Sequence, residues 1–195
     1  MMVKQARAAV TRQALISAAA EVFGADGYAM ATLPVISGRA GVSSGALHFH
    51  FPNKDALAAA VESAAAESAL SLTEESARTA KGGRLQGLVA AVGRLMDAVT
   101  DDPVVRAGFR LGGDPSRKSE ATLHEWWYEW VRDALVQARA NGELAEDVSV
   151  EEAAVVIVAA TLGLETLGAV DRYWRSAERL VQLWSFALPR LSPAE

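Results

Sequence analysis

The chain of 195 residues contains no cysteine and only three histidines. Without cysteine there is no disulfide, no thiolate metal ligand and no cysteine nucleophile. The sequence also lacks a glycine-rich phosphate loop, an H-E-x-x-H helix and a G-x-S-x-G elbow. His48 and His50 are two positions apart, and on a helix such residues point about 200° apart, which disfavours a shared metal. We therefore expect no enzyme, no cofactor and no bound metal.

Long hydrophobic runs are also scarce. The longest comprises the twelve residues from Ala153 to Leu164, bounded by Glu152 and Glu165, whereas a membrane span needs about 20 residues. The first twelve residues are mixed and polar, and no apolar segment typical of a secretion signal follows them. These features predict a buried helix, no membrane partner and a cytoplasmic location.

Positive charge is in deficit over the whole chain, which carries a net charge of −5. The first 60 residues nevertheless hold five basic and three acidic side chains, and the acidic excess lies in the remainder. A slightly basic head on an acidic body is typical of a small DNA-binding module carried by a body that does not bind DNA. A difference of this size also arises by chance in short segments, so it needs support from a motif.

No segment alternates apolar and polar residues over the length of a strand. Instead, apolar residues recur at helical spacing between glycines and prolines. The helix-start signals are Thr32, Ser43 or Ser44, Asn53, and Ser149 with Glu152 in a capping box. We predict an all-α fold of nine or ten helices, with residues 111–117 as a loop and Pro189 closing the last helix. The predicted helices are 10–25, 33–40, 44–50, 54–79, 85–99, 103–109, 120–141, 150–170 and 175–188.

Residues 32–51 read TLPVISGRAGVSSGALHFHF and suggest a helix-turn-helix. Two short helices flank the turn Gly41-Val42-Ser43, and a DNA-reading pair needs such a tight turn. Small and polar residues would form the outer face of the second helix. An ordinary helical hairpin has the same pattern and is more common. The side chains expected to pack inside are Ile36, Ala40, Val42, Leu47 and Phe51.

The spacing of these residues resembles the N-terminal domain of TetR-family repressors over about residues 12–57. Within that family the chain is most similar to the γ-butyrolactone autoregulator receptors, whose second helix typically reads GALYFHF where residues 45–51 here read GALHFHF. Residues 102–111, DPVVRAGFRL, also resemble the PVxRAxxRL segment of those receptors. The other matching positions are Ala19, Ala20, Phe23, Gly27, Tyr28, Thr32, Ala40, Gly41, Val42, Ser43, Lys54 and Leu57.

The resemblance implies a helix-turn-helix domain over residues 1–55 and a ligand-binding and dimerisation domain over residues 56–195. Two positions depart from the family pattern: Ser44 stands where relatives often have lysine, and His48 where they have tyrosine. Losing a cation at position 44 should weaken DNA binding and reduce the salt slope by roughly 0.9 per phosphate contact. The DNA-contacting residues implied are Thr32, Ser43, Ser44, Gly45, His48, His50 and Lys54.

Three of the five tryptophans lie between Leu123 and Trp130. A helical aromatic is more often a core residue than a ligand contact. However, Trp126 falls at the position where the butyrolactone receptors place an indole in the ligand pocket, with Trp127 as the second candidate. The implied effector is a small apolar molecule such as an acyl lactone. The further pocket residues predicted are Leu88, Val92, Met96, Phe109, Val158 and Leu162.

The family also dimerises through its last two helices, which implies a two-fold dimer on a palindromic operator in double-stranded DNA. The predicted function is a repressor that releases its operator on binding a γ-butyrolactone-type effector. Three alternatives stay open: a TetR-like regulator of an efflux or metabolic gene with another hydrophobic ligand, a lactone-blind pseudo-receptor, and a helical interaction module that never touches DNA. The predicted interface residues are Leu162, Leu167, Leu180, Leu183 and Trp184.

Overall fold

The computed structural model describes residues 2–117 and 123–193. In these two stretches there are nine α-helices, one 3-10 helix and no strand, which confirms the predicted all-α fold. The 3-10 helix is Arg172–Arg175. The α-helices are α1 Met2–Met30, α2 Leu33–Arg39, α3 Ser44–His50, α4 Lys54–Thr79, α5 Arg84–Asp101, α6 Pro103–Gly112, α7 Leu123–Ala140, α8 Val150–Val170 and α9 Ala177–Leu191.

The first helix differs from its prediction at both ends. It begins at Met2 and continues past Gly24 to Met30, with one break in helical geometry at Gly27. Gly27 has φ 75° and ψ 169°, a conformation essentially restricted to glycine. The glycine at position 27 therefore separates a long helical stretch of α1 from a short one that ends at Met30.

The prediction that Pro189 closes the last helix is wrong, because α9 continues to Leu191. Its last turn is held by bonds that do not need the proline N–H: Ser192 N donates to Leu188 O at 2.9 Å, and Ala145 N donates to Leu191 O at 2.8 Å. The start of α9 also differs, since Ser176 caps it after the 3-10 helix. The loop predicted from residue 111 begins only after Gly112, and the predicted helix start at residues 120–122 lies outside the described residues.

The chain forms two compact units. The first comprises the residues up to Ser68 together with Asp102–His124, and the second comprises Ala69–Asp101 and the residues from Glu125 onwards. The chain therefore passes between the units three times, within α4, before α6 and at the start of α7. The predicted boundary after residue 55 separates a DNA-binding part from a ligand-binding and dimerisation part. The compact units do not test that division, so it stays a prediction.

The first unit is built on α1, whose apolar stripe forms the centre of one core. Helix α6 packs against α1, and its Ala107 and Leu111 are buried in that core. Arg110 of α6 also donates a hydrogen bond to the carbonyl of Gly24. The segment resembling PVxRAxxRL thus supports the helix-turn-helix. The other large core side chains are Leu15, Ile16, Phe23, Ile36, Leu47, Phe51, Leu57 and Val61.

The second unit contains α5, most of α7, α8 and α9, with the end of α4. Its buried side chains include Leu95 of α5, Trp127 and Leu135 of α7, and Ile157 of α8. Among the described residues, α8 is the one helix long and apolar enough to cross a membrane by length and composition, a test that core helices also pass. Several apolar side chains of α8 lie on the surface of this unit.

Candidate DNA-binding and effector sites

A tight turn over residues 40–43 joins α2 to α3. Gly41 has φ 68°, in the left-handed region that favours glycine. Val42 N donates to Ser37 O at 3.0 Å and Ala40 N donates to Ile36 O at 2.9 Å, so the end of α2 is closed by backbone bonds. The predicted helix-turn-helix is therefore present as two short helices with a glycine turn.

The recognition-helix candidate α3 is fixed at its start and on its inner face. Ser43 Oγ accepts a hydrogen bond from Ala46 N at 3.2 Å, which confirms the predicted serine cap. Leu47 is fully buried in the core of the first unit, and Phe51 follows the helix as a second buried anchor. Asn53 Oδ1 then accepts from Ala56 N at 2.8 Å and starts α4. These anchors hold α3 against the protein by one side only.

The predicted DNA-contacting residues lie mostly on the surface. Thr32 occupies the N-cap position of α2, but its side chain makes no capping bond, so the predicted capping role is wrong. The Thr32 hydroxyl is consequently not used by its own helix. Thr32, Ser43, Ser44, Gly45 and His48 are exposed, and His50 and Lys54 are half-buried.

Lys54 has a structural role that the sequence analysis missed. Its ammonium donates to the carbonyl oxygens of Tyr28 at 2.9 Å and Ala31 at 3.1 Å, at the end of α1. The same Nζ lies 4.2 Å from the centroid of the Tyr28 ring. Since these carbonyls already satisfy the ammonium, a phosphate would have to compete with them. The predicted phosphate contact of Lys54 stays a prediction, and a second role of Lys54 is to cap α1.

Two residues outside the predicted set lie at or beside α3. The exposed Arg12 of α1 places its guanidinium 5.2 Å from the centroid of the Phe51 ring, next to the end of α3. Phe49 of α3 is 82% exposed. The sequence gives Arg12 no distinguishing signal, because its position beside α3 depends on how α1 folds back. Phe49 could have been singled out by its helical spacing from the buried Leu47.

Tyr28 connects α1, α4 and the segment after α6. Its hydroxyl donates to Asp55 Oδ1 at 2.6 Å, and its backbone N donates to Asp114 Oδ2 at 3.3 Å. Burial, followed by the hydrogen bond to Asp55, raises the pKa of Tyr28 to about 12. The Arg117 guanidinium lies 5.3 Å from the centroid of the Tyr28 ring. The tyrosine is therefore a neutral, fixed member of the first unit.

Arg117 also forms a buried ion pair with Glu62 of α4. Arg117 Nη1 lies 2.7 Å from Glu62 Oε2, and the two side chains are 5% and 7% exposed. Burial raises the pKa of Glu62 more strongly than the hydrogen bond and charge of Arg117 lower it. Glu62 Oε1 has no hydrogen-bond partner in the part of the chain that the structure describes. The ion pair thus connects α4 to the segment after α6. Removing either partner would leave the other one buried without its opposite charge.

The tryptophans of α7 form a stacked group. Trp127 and Trp130 are nearly parallel, at 10° with centroids 5.3 Å apart, and Trp126 is tilted against Trp127. Trp127 is completely buried, whereas Trp126 is half-buried. The indole N–H of Trp127 has no hydrogen-bond partner among residues 2–117 and 123–193. A buried, unpaired N–H is costly, so it marks a place where a polar atom of a ligand or a water would be stabilised.

The other predicted pocket residues are divided between the two units. Leu88, Val92 and Met96 of α5 are almost fully buried in the second unit, as is Val158 of α8, while Leu162 is half-buried. Phe109 belongs to the first unit, where its ring lies 5.8 Å from His124. Leu88 and Trp130 also line a surface groove formed by α4, α5 and α7 of the second unit. The predicted pocket set therefore remains a prediction for effector binding.

Helices α8 and α9 expose an apolar surface, which we call the α8–α9 face. It differs from the predicted interface in one respect: Trp184 is buried inside the protomer, while Leu167 is exposed and Leu162, Leu180 and Leu183 are half-buried. Val156, Leu183 and Phe186 line one continuous groove between the two helices. The exposed members of the face are Val155, Val156, Leu167 and Val170 of α8 and Val181 and Phe186 of α9.

The described residues contain no group of three or more histidine, aspartate or glutamate side chains arranged to hold a metal ion. The candidate sites are the outer side of α3, the tryptophan group of α7 and the α8–α9 face. These three suit contact with DNA, with a small apolar molecule and with another protein surface.

Comparison with known proteins connects these features. Residues 15–61, which span the helix-turn-helix, match the family model of bacterial regulatory proteins of the tetR family. The A-factor receptor protein of Streptomyces griseus is 30% identical over 200 residues, an alignment that covers 98% of this chain and 67% of that protein.

Solved structures extend the similarity to the whole fold. A γ-butyrolactone receptor described as ArpA-like is 27% identical, with a TM-score of 0.76 over 96% of this chain and 90% of that one. The TetR-family protein CprB of Streptomyces coelicolor, solved in complex with its operator sequence, is 28% identical with a TM-score of 0.77 over 96% and 91%. The predicted family is confirmed. The chain belongs to the tetR family of bacterial regulatory proteins, and its relatives include the A-factor receptor protein and γ-butyrolactone receptors.

Proposed function

We propose that the protein is a cytoplasmic, non-enzymatic repressor that binds a palindromic operator as a homodimer and releases it on binding a γ-butyrolactone-type effector. The observation that carries the proposal is α3, a short helix anchored by Leu47 and capped by Ser43, whose remaining sides are open to solvent. A helix held in this way can enter the major groove of DNA. The exposed hydroxyls of Thr32, Ser43 and Ser44 suit contacts to phosphate.

The effector half of the proposal is supported by Trp127. Its buried N–H lacks a partner among the described residues, and buried apolar side chains of the same unit supply a lining for an acyl tail. The structure favours Trp127 over Trp126 as the ligand contact, because Trp127 points its unpaired group into the protein interior while Trp126 is half-buried. A lactone carbonyl would accept the hydrogen bond that this N–H lacks.

Release of DNA requires that the effector bind the released state more tightly than the DNA-bound state. The effector unit and the helix-turn-helix unit are covalently continuous at three points, one of them inside α4. In the proposed mechanism a displacement of α4 changes the separation of the two recognition helices in the dimer. Two half-sites about one DNA turn apart then no longer fit both helices.

The function is tested by selecting genomic DNA fragments retained by the purified protein and titrating the complexes with an acyl γ-butyrolactone. We expect retained fragments to carry palindromes and the lactone to release them. Trp127→Phe removes the N–H and keeps an aromatic ring. It should bind the same fragments normally and require about threefold to tenfold more lactone for half-release, the value of one hydrogen bond.

Trp174→Phe is the matched control, because it removes the indole N–H of a half-buried tryptophan in the 3-10 helix of the same unit. It should respond to the lactone like the wild type. A protein that binds no fragment at low salt would refute the repressor assignment. Fragments that are bound but never released by lactones would instead indicate a pseudo-receptor or a regulator with another hydrophobic ligand.

Dimerisation is supported by the α8–α9 face. The exposed residues Val155, Val156, Leu167 and Val170 fall within about 120° around the α8 axis at 100° per residue, so they form one stripe. An apolar surface of this kind on a monomer is a liability and is typical of a protein interface. Phe186, 86% exposed on α9, extends the same surface through the groove that it shares with Val156. A second copy of this chain would cover it by two-fold symmetry.

Phe186→Glu places a charge on this proposed interface and should convert the dimer to a monomer at about 10 µM, since a buried unpaired carboxylate costs several kcal/mol. Sedimentation velocity measures the change directly. Val136→Glu, on the exposed side of α7, is the control and should leave the mass unchanged. A wild-type monomer, or a Phe186→Glu dimer of unchanged affinity, would contradict the proposed interface.

A further inference from the structure

The largest exposed side chain of α3 is apolar. Phe49 is 82% exposed on a helix whose other outward residues are small or polar. Its ring meets the His50 ring edge-on at 5.2 Å, which limits its rotation. Because the ring is mostly exposed, it gains little burial free energy within the protomer, and a contact outside the chain would supply that burial.

The geometry of α3 shows where Phe49 points. Leu47 is fully buried and marks the inner side of the helix. At 100° per residue, Gly45 and Phe49 both lie about 160° from Leu47, one on each side of the outermost line of the helix. Ser44 and His48 lie nearer the protein on one flank. The side chain that reaches furthest from the protein along this line is therefore Phe49.

Gly45 leaves the space beside Phe49 open. A Cβ built on Gly45 would meet only Ser43 Oγ, at 3.9 Å, so the protomer itself does not require a glycine there. Its φ is not positive either, since the positive-φ glycines are at other positions. The missing side chain instead allows an outside surface to approach the backbone of α3 one turn before Phe49.

We propose that Phe49 is a specificity-determining residue that contacts a thymine methyl group in the major groove. This rests on the proposed function, because it takes α3 as the helix that enters the groove. In that groove thymine alone among the four bases presents a methyl group, and apolar side chains, phenylalanine included, read it by direct contact. Phosphates are charged, and proteins contact them with basic or polar groups rather than with an apolar ring.

The test removes the methyl from the DNA and the ring from the protein. A genomic fragment retained by the wild-type protein is made by amplification with either dTTP or dUTP, which differ only in that methyl. The wild type should bind the uracil fragment about fourfold more weakly for each methyl contacted, hence roughly tenfold or more for a symmetric complex. Phe49→Ala should bind the two fragments with equal affinity, at the wild-type affinity for uracil DNA or below it.

Val136→Ala, an exposed valine of α7, is the control and should keep the full thymine preference. Phe49→Leu should retain part of it. Thermal unfolding of Phe49→Ala should match that of the wild type, because the ring is exposed. If Phe49→Ala loses affinity for thymine and uracil DNA equally, the ring contacts the backbone and the inference is overturned. If the wild type retains no fragment at all, the proposed function fails and the inference falls with it.

Discussion

Arg117→Ala is expected to destabilise the first unit by about 3–5 kcal/mol at neutral pH, the range found when one partner of a buried ion pair is removed. Arg117 and Glu62 are both more than nine-tenths buried and 2.7 Å apart. Removing the guanidinium leaves the Glu62 carboxylate in the interior with one oxygen already lacking a partner in the described chain. It also removes the cation beside the Tyr28 ring.

The loss should depend on pH in a defined direction. Burial holds the pKa of Glu62 above its usual range even with Arg117 present, and losing Arg117 raises that pKa further. A carboxyl whose folded pKa is raised binds more protons in the folded state, so stability falls as pH rises through that pKa. We therefore expect the gap between Arg117→Ala and the wild type to be smaller at pH 5 than at pH 7.5.

The positions of the tryptophans make it possible to measure which of the two units Arg117→Ala destabilises. All five tryptophans lie in the second unit, so their fluorescence reports that unit in a urea titration, whereas far-ultraviolet circular dichroism reports both. Arg117→Ala should lower the urea midpoint measured by circular dichroism more than the midpoint measured by tryptophan fluorescence. Arg39→Ala is the matched control, since it breaks an exposed pair with Glu21 worth at most about 1 kcal/mol.

The double variant Glu62→Leu/Arg117→Met removes both charges and should recover most of the lost stability, because an apolar pair avoids the desolvation cost. Equal midpoints for Arg117→Ala and Arg39→Ala would show that the Arg117–Glu62 pair is not buried in solution. A loss that grows as pH falls would contradict the assigned role of Glu62.

Helix positions were predictable where a local signal marks them. Ser43, Asn53 and Ser149 each accept a hydrogen bond from the backbone N–H three residues later, and α3, α4 and α8 begin where those caps predicted. The end of α9 was not predictable from Pro189, because the bond that holds Leu191 comes from Ala145, 46 positions earlier in the chain. A helix start that carries a side-chain cap can therefore be predicted from local chemistry, whereas a bond from a distant residue can extend a helix end.

The candidate DNA site shows the same division. The glycine turn and the buried Leu47 follow from spacing alone, and the resemblance supplied the polar residues of α3. The spacing could not reveal that the Lys54 ammonium caps α1, because that depends on the end of α1 meeting the start of α4. Trp126 and Trp127 are about 100° apart on one helix, so the sequence could not decide which of them is buried. That decision depends on which neighbours cover each face.

The sequence also could not predict to which compact unit α6 belongs. Its residues resemble a segment of ligand-binding receptors, yet Ala107 and Leu111 are buried against α1. Small residues at 107 and 108 are the signal that two helices approach closely, but the sequence does not say which helices. The structure identifies α1 and α4 as the neighbours of α6 within the first unit.

Gly108→Ala should therefore cost about 2–3 kcal/mol, although alanine is normally the better helix former by about 1 kcal/mol. A Cβ built on Gly108 would overlap the Cβ of Ala65 on α4 and come within 3.0 Å of Leu123 Cδ2. The Cβ of Ala65 is attached directly to the backbone of α4 and cannot rotate away, so α4 and α6 would have to move apart. With about 2–4 °C lost per kcal/mol for a chain of this size, the melting temperature should fall by about 4–12 °C.

Gly24→Ala is the opposite control in the same unit. It too replaces a helical glycine, but a Cβ built on Gly24 meets nothing within 4 Å. The hydrogen bond from Arg110 goes to the Gly24 carbonyl, so the new methyl group would not disturb it. This variant should be more stable than the wild type by up to about 1 kcal/mol. The two glycine substitutions are thus expected to change stability in opposite directions, which propensity alone does not predict.

A second substitution isolates the contact between the helices. Ala65→Gly alone should destabilise the first unit by about 1 kcal/mol, because it puts a glycine inside α4. In the Gly108→Ala background the same change removes the atom that the new methyl group overlaps, so the double variant should be more stable than Gly108→Ala by about 1 kcal/mol. Circular dichroism melts of the four proteins complete the cycle. If the two effects simply add, Ala65 and Gly108 are not in contact, and the packing of α6 on α4 described above is wrong.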